Sequence, residues 1–287
     1  MMTAQGPTVG RRRLRTALRR AREAAGLTQE QVADAMDWSL SKLIRIEAGS
    51  VSISTNDVKA LLSHYRVADP HRVNELVDLA KVSRQRSWWS QYRESFPPSF
   101  VAFIGLEAEA SKLSFFQSVG VPGLVQTEAY ANSITSFMVP ALVDPTRIKE
   151  IVSLRRRRQQ EVLDRPNPPQ IEVVLDESIL HRQIGSAQIM HDQLQHLVSL
   201  GQRPHINIRV LPFSSGMYTA QGQFIILQFG DEGDNDVVYV EGAGLYEVLD
   251  QADQVKRHQE MYERLREHSL DPAQSLDVIA KMAGRLK

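Results

Sequence analysis

No cysteine occurs in the 287 residues. That absence excludes disulfides and every thiolate metal site, and it fits a reducing compartment. No apolar run approaches the ~18 residues that a membrane span needs, and no signal-like segment opens the chain. A HExxH pattern, a P-loop and a Gly-rich dinucleotide turn following a strand are also missing. Net charge is lacking too, since 34 Lys+Arg balance 34 Asp+Glu. These absences lead to the expectation of a cytoplasmic chain with no membrane partner, no metal and no cofactor.

The charge balance hides an asymmetry. Residues 1–90 carry 15 Lys+Arg against 9 Asp+Glu, a balance of +6, which leaves the other 197 at −6. The front of the chain suits a polyanion and the back does not. At roughly one domain per 100–200 residues, two domains are expected. The small, polar segment 1–10 reads as a flexible arm.

The spacing of Leu14, Ala17, Leu18, Ala21 and Ala25 predicts a helix over Arg11 to Ala25, ended by Gly26. Thr28 caps a second helix, and Gln31 three residues later completes a capping box. Ser39 caps a third, with Leu43 and Ile46 inward, and Gly49 stops it. Only Asp37-Trp38 separates the second and third helices. A break this short lets the third stand off the body and enter a major groove. Leu40, Ser41, Ile44 and Arg45 then share its outward face as base-contact candidates. Arg45 can pair bidentately with guanine, and Leu40 and Ile44 can pack on thymine methyls or sugars. Arg11, Arg12, Arg13, Thr28, Gln29, Ser39 and Lys42 are phosphate-contact candidates. The bland alternative is a helical bundle with a solvated basic face, which disfavours Leu40 and Ile44 in water.

Leu27-Thr28-Gln29-Glu30, Val32-Ala33, Ser39-x-Ser41 and Arg45-Ile46-Glu47-x-Gly49 resemble the Xre-type helix-turn-helix family, the phage-repressor and Cro class, over Arg11 to Tyr65. Asp37 departs from the family's usual turn glycine but tolerates a left-handed backbone better than most residues. Ile44 stands where a polar residue is commoner. Two further helices are expected, one capped by Ser54 or Thr55 and one starting near Pro70, with the domain ending near Trp88-Trp89.

Beyond it, helices are predicted over Phe100–Gln117, after Val121-Pro122-Gly123, over Asp144–Asp164, over His181–Leu200 and near the C-terminus. Strands are predicted at Ile171–Glu177 and in INIRVLP, GQFIILQF, DVVYVE and GLYEVLD. This order argues for a chain that is mainly α, with an α+β C-terminal part holding a small antiparallel sheet. Phe103 to Ala110, Val121-Pro122-Gly123-Leu124, Gln126-Thr127 and Val210-Leu211-Pro212 resemble a C-terminal domain shared by actinobacterial Xre-type regulators. That resemblance implies an antitoxin-like or partner-responsive regulator, the partner being a short co-encoded protein.

Catalysis is not expected. His181, His191, His196 and His205 lack a metal-binding spacing, and Asp176-Glu177 reads as a cap rather than an acid–base pair. Trp88-Trp89, Phe115-Phe116 and Tyr130 are expected mostly in the core. Arg155 to Arg158 point all round their helix, so a solvated face with ion pairs to Glu150 and Glu161 is favoured over a phosphate or partner site. The division is thus a helix-turn-helix domain over 1–87, with 1–10 as its arm, and a regulatory, partner-binding and dimerising domain over 88–287. The function expected is transcriptional regulation through sequence-specific binding of double-stranded DNA by a homodimer on a palindromic operator, with affinity modulated through the C-terminal domain by a small protein or small molecule. The alternative is an interaction protein whose main role is capturing the short partner.

Overall fold

The computed structural model describes residues 6–138, 145–217, 222–230, 236–242 and 245–286. Two compact units divide the chain, Met1–Glu109 and Ala110–Lys287.

The first unit is helical: α1 (Pro7–Ala24), α2 (Gln29–Ala35), α3 (Leu40–Glu47), α4 (Thr55–His64), α5 (Pro70–Ser83) and α6 (Pro98–Glu109). Leu14, Leu18, Val32, Leu43, Ile46, Val58, Leu61, Leu62, Leu76 and Ala80 form its core. The expected arm is corrected here, because α1 begins at Pro7 and buries Val9 and Gly10. Residues 1–5 of that arm lie outside the described residues. Gly6, at the N-cap, has no side chain to cap with. The Glu109 carboxylate, at the end of α6, does so instead, accepting from the backbone N–H of Thr8 at 2.8 Å and of Val9 at 2.7 Å. A Cβ on Gly6 would fall 2.1 Å from Glu109 Cδ, so only glycine admits this approach.

The first unit therefore runs 22 residues past the expected boundary at 87. A ladder of edge-on and tilted rings fills the added segment: Trp88 on Trp89, Trp88 on Tyr92, Tyr92 on Phe96, Phe96 on Phe100 and Phe100 on Phe103, with centroids 5.6–6.3 Å apart. Such offset and edge-to-face contacts suit the ring quadrupoles.

In the second unit six strands form one mixed sheet, ordered β3-β2-β1-β4-β5-β6. They are β1 (Lys112–Gln117), β2 (Gln170–Asp176), β3 (Ile206–Leu211), β4 (Phe224–Gln228), β5 (Val237–Gly242) and β6 (Leu245–Leu249). The α+β class holds, but the sheet is not purely antiparallel: β1–β2 and β2–β3 pair parallel, while β4, β5 and β6 make an antiparallel meander on β1. Parallel pairing follows from the helical crossovers, α7 (Glu128–Met138) with α8 (Pro145–Leu163), then α9 (Ser178–His181) with α10 (Ala187–Leu200).

The helix expected over Phe100–Gln117 is likewise corrected, since it stops at Glu109 and Lys112–Gln117 is the strand β1. A central strand buried on both faces reads as a continuous apolar run, and LSFF carries no period to separate strand from helix. Phe116, Val174, Phe224, Ile226 and Val238 face α11 (Ala252–Glu267) through Val255, Tyr262 and Leu265. Alternation sends Leu113, Phe115, Ile171, Val173 and Leu175 to the other face, and they are equally buried. The predicted helix over His181–Leu200 is broken at residues 182–186, and α12 (Pro272–Gly284) closes the chain. Glu241 and Gly242 end β5.

Candidate nucleic-acid interface

The geometry of α2 and α3 is set by local chemistry at their ends. Thr28 Oγ1 accepts from the Gln31 N–H at 3.2 Å while Gln31 Oε1 accepts from the Thr28 N–H at 2.9 Å, the reciprocal capping box that the sequence predicts. Ser39 Oγ accepts from the Lys42 N–H at 3.2 Å. Four successive helices then end alike. Gly26, Asp37, Gly49 and Arg66 are left-handed, with φ of 70°, 54°, 73° and 58°. At each, the next residue's N–H reaches back to the helix: Leu27 to Arg22, Trp38 to Ala33, Ser50 to Arg45 and Val67 to Leu62, at 2.9–3.2 Å. This is the Schellman closure, which satisfies carbonyls that a helix end otherwise leaves open. Asp37 was legible as such a turn; Arg66 was not, because nothing in its residue type favours positive φ.

One buried ion pair locks α3 in place. Arg22 of α1 donates from Nε to Glu47 Oε1 at 2.7 Å and from Nη2 to Glu47 Oε2 at 3.0 Å. Its Nη1 donates to the Leu27 carbonyl at 2.8 Å, and Gln29 Nε2 donates to Glu47 Oε2 at 2.8 Å. The hydrogen bonds to Glu47 raise the Arg22 pKa, outweighing desolvation. One carboxylate at the end of α3 thus binds α1 and the first turn of α2 together. The sequence matched Glu47 to a motif without a role and passed over Arg22; its place four residues beyond Leu18 on the Leu14–Leu18 stripe was the available signal.

Leu43 and Ile46 are buried, which turns the opposite face of α3 to solvent. Leu40 and Ile44 are 36% and 44% exposed, unusual for large aliphatic residues, and Ser41 and Arg45 are exposed beside them. The four base-contact candidates therefore share one face.

The phosphate-contact candidates do not form one group. Thr28 and Ser39 use their hydroxyls as caps, and Gln29 commits one amide N–H to Glu47. Lys42 holds its ammonium 3.6 Å above the Trp38 ring and 3.8 Å from Asp57. Arg11 turns away, donating from Nη2 to the Ser83 carbonyl at 2.8 Å, and burial lowers its pKa, with Arg93 adding to the effect. Arg12 and Arg13 are half-buried and each engages other parts of the structure. Three consecutive helical residues point about 100° apart, so the cluster in sequence is not a cluster in space.

In the second unit the histidines are dispersed. His191 Nδ1 lies 2.8 Å from the Ala283 carbonyl, and His181 stacks on Phe213 and meets Glu177 at 3.3 Å. No group of three potential metal ligands occurs among the described residues. Asp176 Oδ1 accepts from the Ser178 N–H and Glu177 Oε2 from the Phe213 N–H, at 2.9 and 2.7 Å, so both side chains fasten backbone. The aromatic pair Phe115-Phe116 and Tyr130 are buried. Of the arginine run, Arg157 does meet Glu161 at 3.4 Å, but Glu150 pairs with Arg147, and Arg158 is buried. The solvated-face expectation is corrected for that half of the run, because Arg155 and Arg158 fall on the packed side of α8.

Residues 100–281 match the family model described as a domain of unknown function, DUF5753, and residues 13–76 match a helix-turn-helix domain. No curated protein and no solved structure matches the chain. The front unit is thus a helix-turn-helix of the kind that DNA-binding regulators carry. No helix among the described residues is long and apolar enough to cross a membrane.

Proposed function

The chain belongs to the DUF5753 family, and from that premise we propose that it is a cytoplasmic, Xre-type, sequence-specific transcriptional regulator without catalytic activity. The observation that carries this reading is the exposed face of α3, where Arg45 and Ser41 stand between Leu40 and Ile44 while Leu43 and Ile46 hold the helix from behind. A solvated structural helix has no use for two exposed branched aliphatics; a helix seated among base edges and thymine methyls does. One such helix reads few base pairs. The protein therefore acts as a homodimer on a palindrome whose half-sites lie about 10 base pairs apart. The DUF5753 unit supplies dimerisation and responds to a short co-encoded protein, in the manner of antitoxin-like regulators, or to a small molecule. An effector that favours the non-binding state weakens DNA affinity by its own differential affinity for the two states.

Fluorescence-anisotropy titration against tiled fragments of the protein's own upstream DNA, at two salt concentrations, tests the reading. Tight binding to one palindromic fragment is expected. Equal, weak binding to every fragment would remove sequence-specific regulation. Adding the neighbouring short protein to the same titration identifies or eliminates it as the signal.

A further inference from the structure

A cavity of about 270 Å³ opens in the DUF5753 unit, at the first turn of α7 and beside α8 and α10. Gln126, Thr127, Arg155, Arg156, Gln159 and His196 bring polar groups to it, over an apolar floor of Ala131 and Val152. Its volume falls just under the roughly 300–1,000 Å³ typical of sites for drug-sized ligands, so a nucleotide or large cofactor does not fit within it.

Arg155 is the unusual member. Surrounded by protein, its guanidinium is desolvated, which pushes its pKa down to about 10; Arg158 adds to the shift and Glu241 opposes it. Its hydrogen bonds go to neutral oxygens, from Nη1 to Gln126 Oε1 at 2.6 Å and to Thr135 Oγ1 at 3.5 Å. The other N–H groups of its fork have no hydrogen-bond partner among the described residues. No ion pair with Glu241 forms there either. Arg155 is thus a largely desolvated guanidinium whose nearby carboxylate, Glu241, is not in contact with it, and its unbonded N–H groups can take up an incoming anion.

The surroundings are fixed in advance. Gln126 is oriented by donating to the Val121 carbonyl at 2.6 Å, which aims its oxygen at Arg155. Gln159 donates to the carbonyls of Gly123 and Gln126, at 3.0 and 2.8 Å. The N-terminus of α7 adds its positive end at Thr127. The acidic group at the cavity is Glu128, and Arg156 meets it at 3.6 Å with both side chains about two-thirds exposed, a pair weak enough for an incoming anion to displace.

We propose that this cavity binds a small anionic metabolite, a compact carboxylate or phosphate monoester, whose acid group docks in the fork of Arg155 while Arg156 guides its entry. Such a ligand is the signal of the DUF5753 unit, which rests on the regulatory reading above; the binding site itself does not. A guanidinium fork matches either oxyanion bidentately, and the small volume selects for a short body.

Calorimetric titration of the full chain with inorganic phosphate and, separately, with succinate tests this, with chloride holding ionic strength constant. Saturable binding of one or both is expected, and the preferred anion separates phosphate from carboxylate chemistry. Arg155→Lys, which keeps the charge but not the fork, should weaken it tenfold or more. Arg156→Gln lies at the exposed mouth, so it should weaken binding several-fold with an unchanged melting temperature. No saturable binding of either anion, or affinity unchanged in both variants, overturns the proposal. DNA titrations on the same samples read the regulator independently. Anion binding by a chain that ignores DNA would uphold the site and remove only the regulator.

Discussion

Arg22 and Glu47, 25 residues apart in the chain, meet side by side, Nε on one carboxylate oxygen and Nη2 on the other. With the side chains 11% and 5% exposed, the pair sits largely out of water. Removing one partner strands the other's charge, which typically costs about 3–5 kcal/mol. Glu47→Ala and Arg22→Ala should each lower stability by this order in urea unfolding, and the double variant by clearly less than their sum. Additive losses would show that the two residues do not act as a unit.

Arg45 is a different kind of arginine, exposed on the outer face of α3. Arg45→Ala should leave thermal stability unchanged and cost about 1–3 kcal/mol of affinity for the preferred DNA site, with sequence preference relaxed at one base position. A uniform loss across all sequences, with a shallower salt dependence, would assign it to phosphate instead.

Glu109 carries a pH dependence. Burial raises its pKa to about 6 from the usual 4.5, even though the Val9 and Thr8 N–H groups pull it down. A carboxyl whose folded pKa lies above its unfolded value stabilises fully below the unfolded value. That contribution is lost as pH rises through the folded one. Between pH 4.5 and about 6 the first unit should therefore lose on the order of 1–2 kcal/mol from this group. Glu109→Gln should flatten that part of the stability–pH curve, as followed by thermal melting; an unchanged slope would mean another group is responsible.

Asp37 and Arg66 occupy left-handed backbone that costs an L-residue roughly 1 kcal/mol. Asp37→Gly and Arg66→Gly relieve that strain but free the unfolded chain, so a gain of a few tenths to about 1 kcal/mol is expected. A shift of the urea midpoint to lower concentration would mean that the side chains contribute more than the strain costs.

What could be read from the residues alone was whatever is decided within a few positions. Thr28, Ser39 and Ser54 cap as their types and spacing require, Gly26 and Gly49 end helices, and Leu43 and Ile46 bury the back of α3. The strand β1 was missed because Leu113 to Phe116 has no period of its own. Its burial on both faces comes from partners far along the chain. The parallel pairings failed for the same reason, since register between Phe115 and Val173 is a property of the crossover, not of either segment. In the candidate site, the outward face of α3 was legible from helical periodicity. The arginine cluster was not, because Arg11, Arg12 and Arg13 are neighbours in sequence that a helix sends in different directions. Arg155 was hidden likewise, one of four identical letters of which the fold withdraws two.

The clasp of Glu109 on the start of α1 joins backbone about one hundred residues apart. During synthesis the chain emerges from its N-terminus, so α1 to α5 can assemble early, yet the open end of α1 waits until α6 has appeared. Closing so long a loop is a late, non-local event. A nascent chain stalled before Glu109 would leave the Thr8 and Val9 N–H groups without that carboxylate. The start of α1 is thus completed only once synthesis has passed the last residue of the first unit, while the apolar core that holds α1 to α5 together does not wait for it.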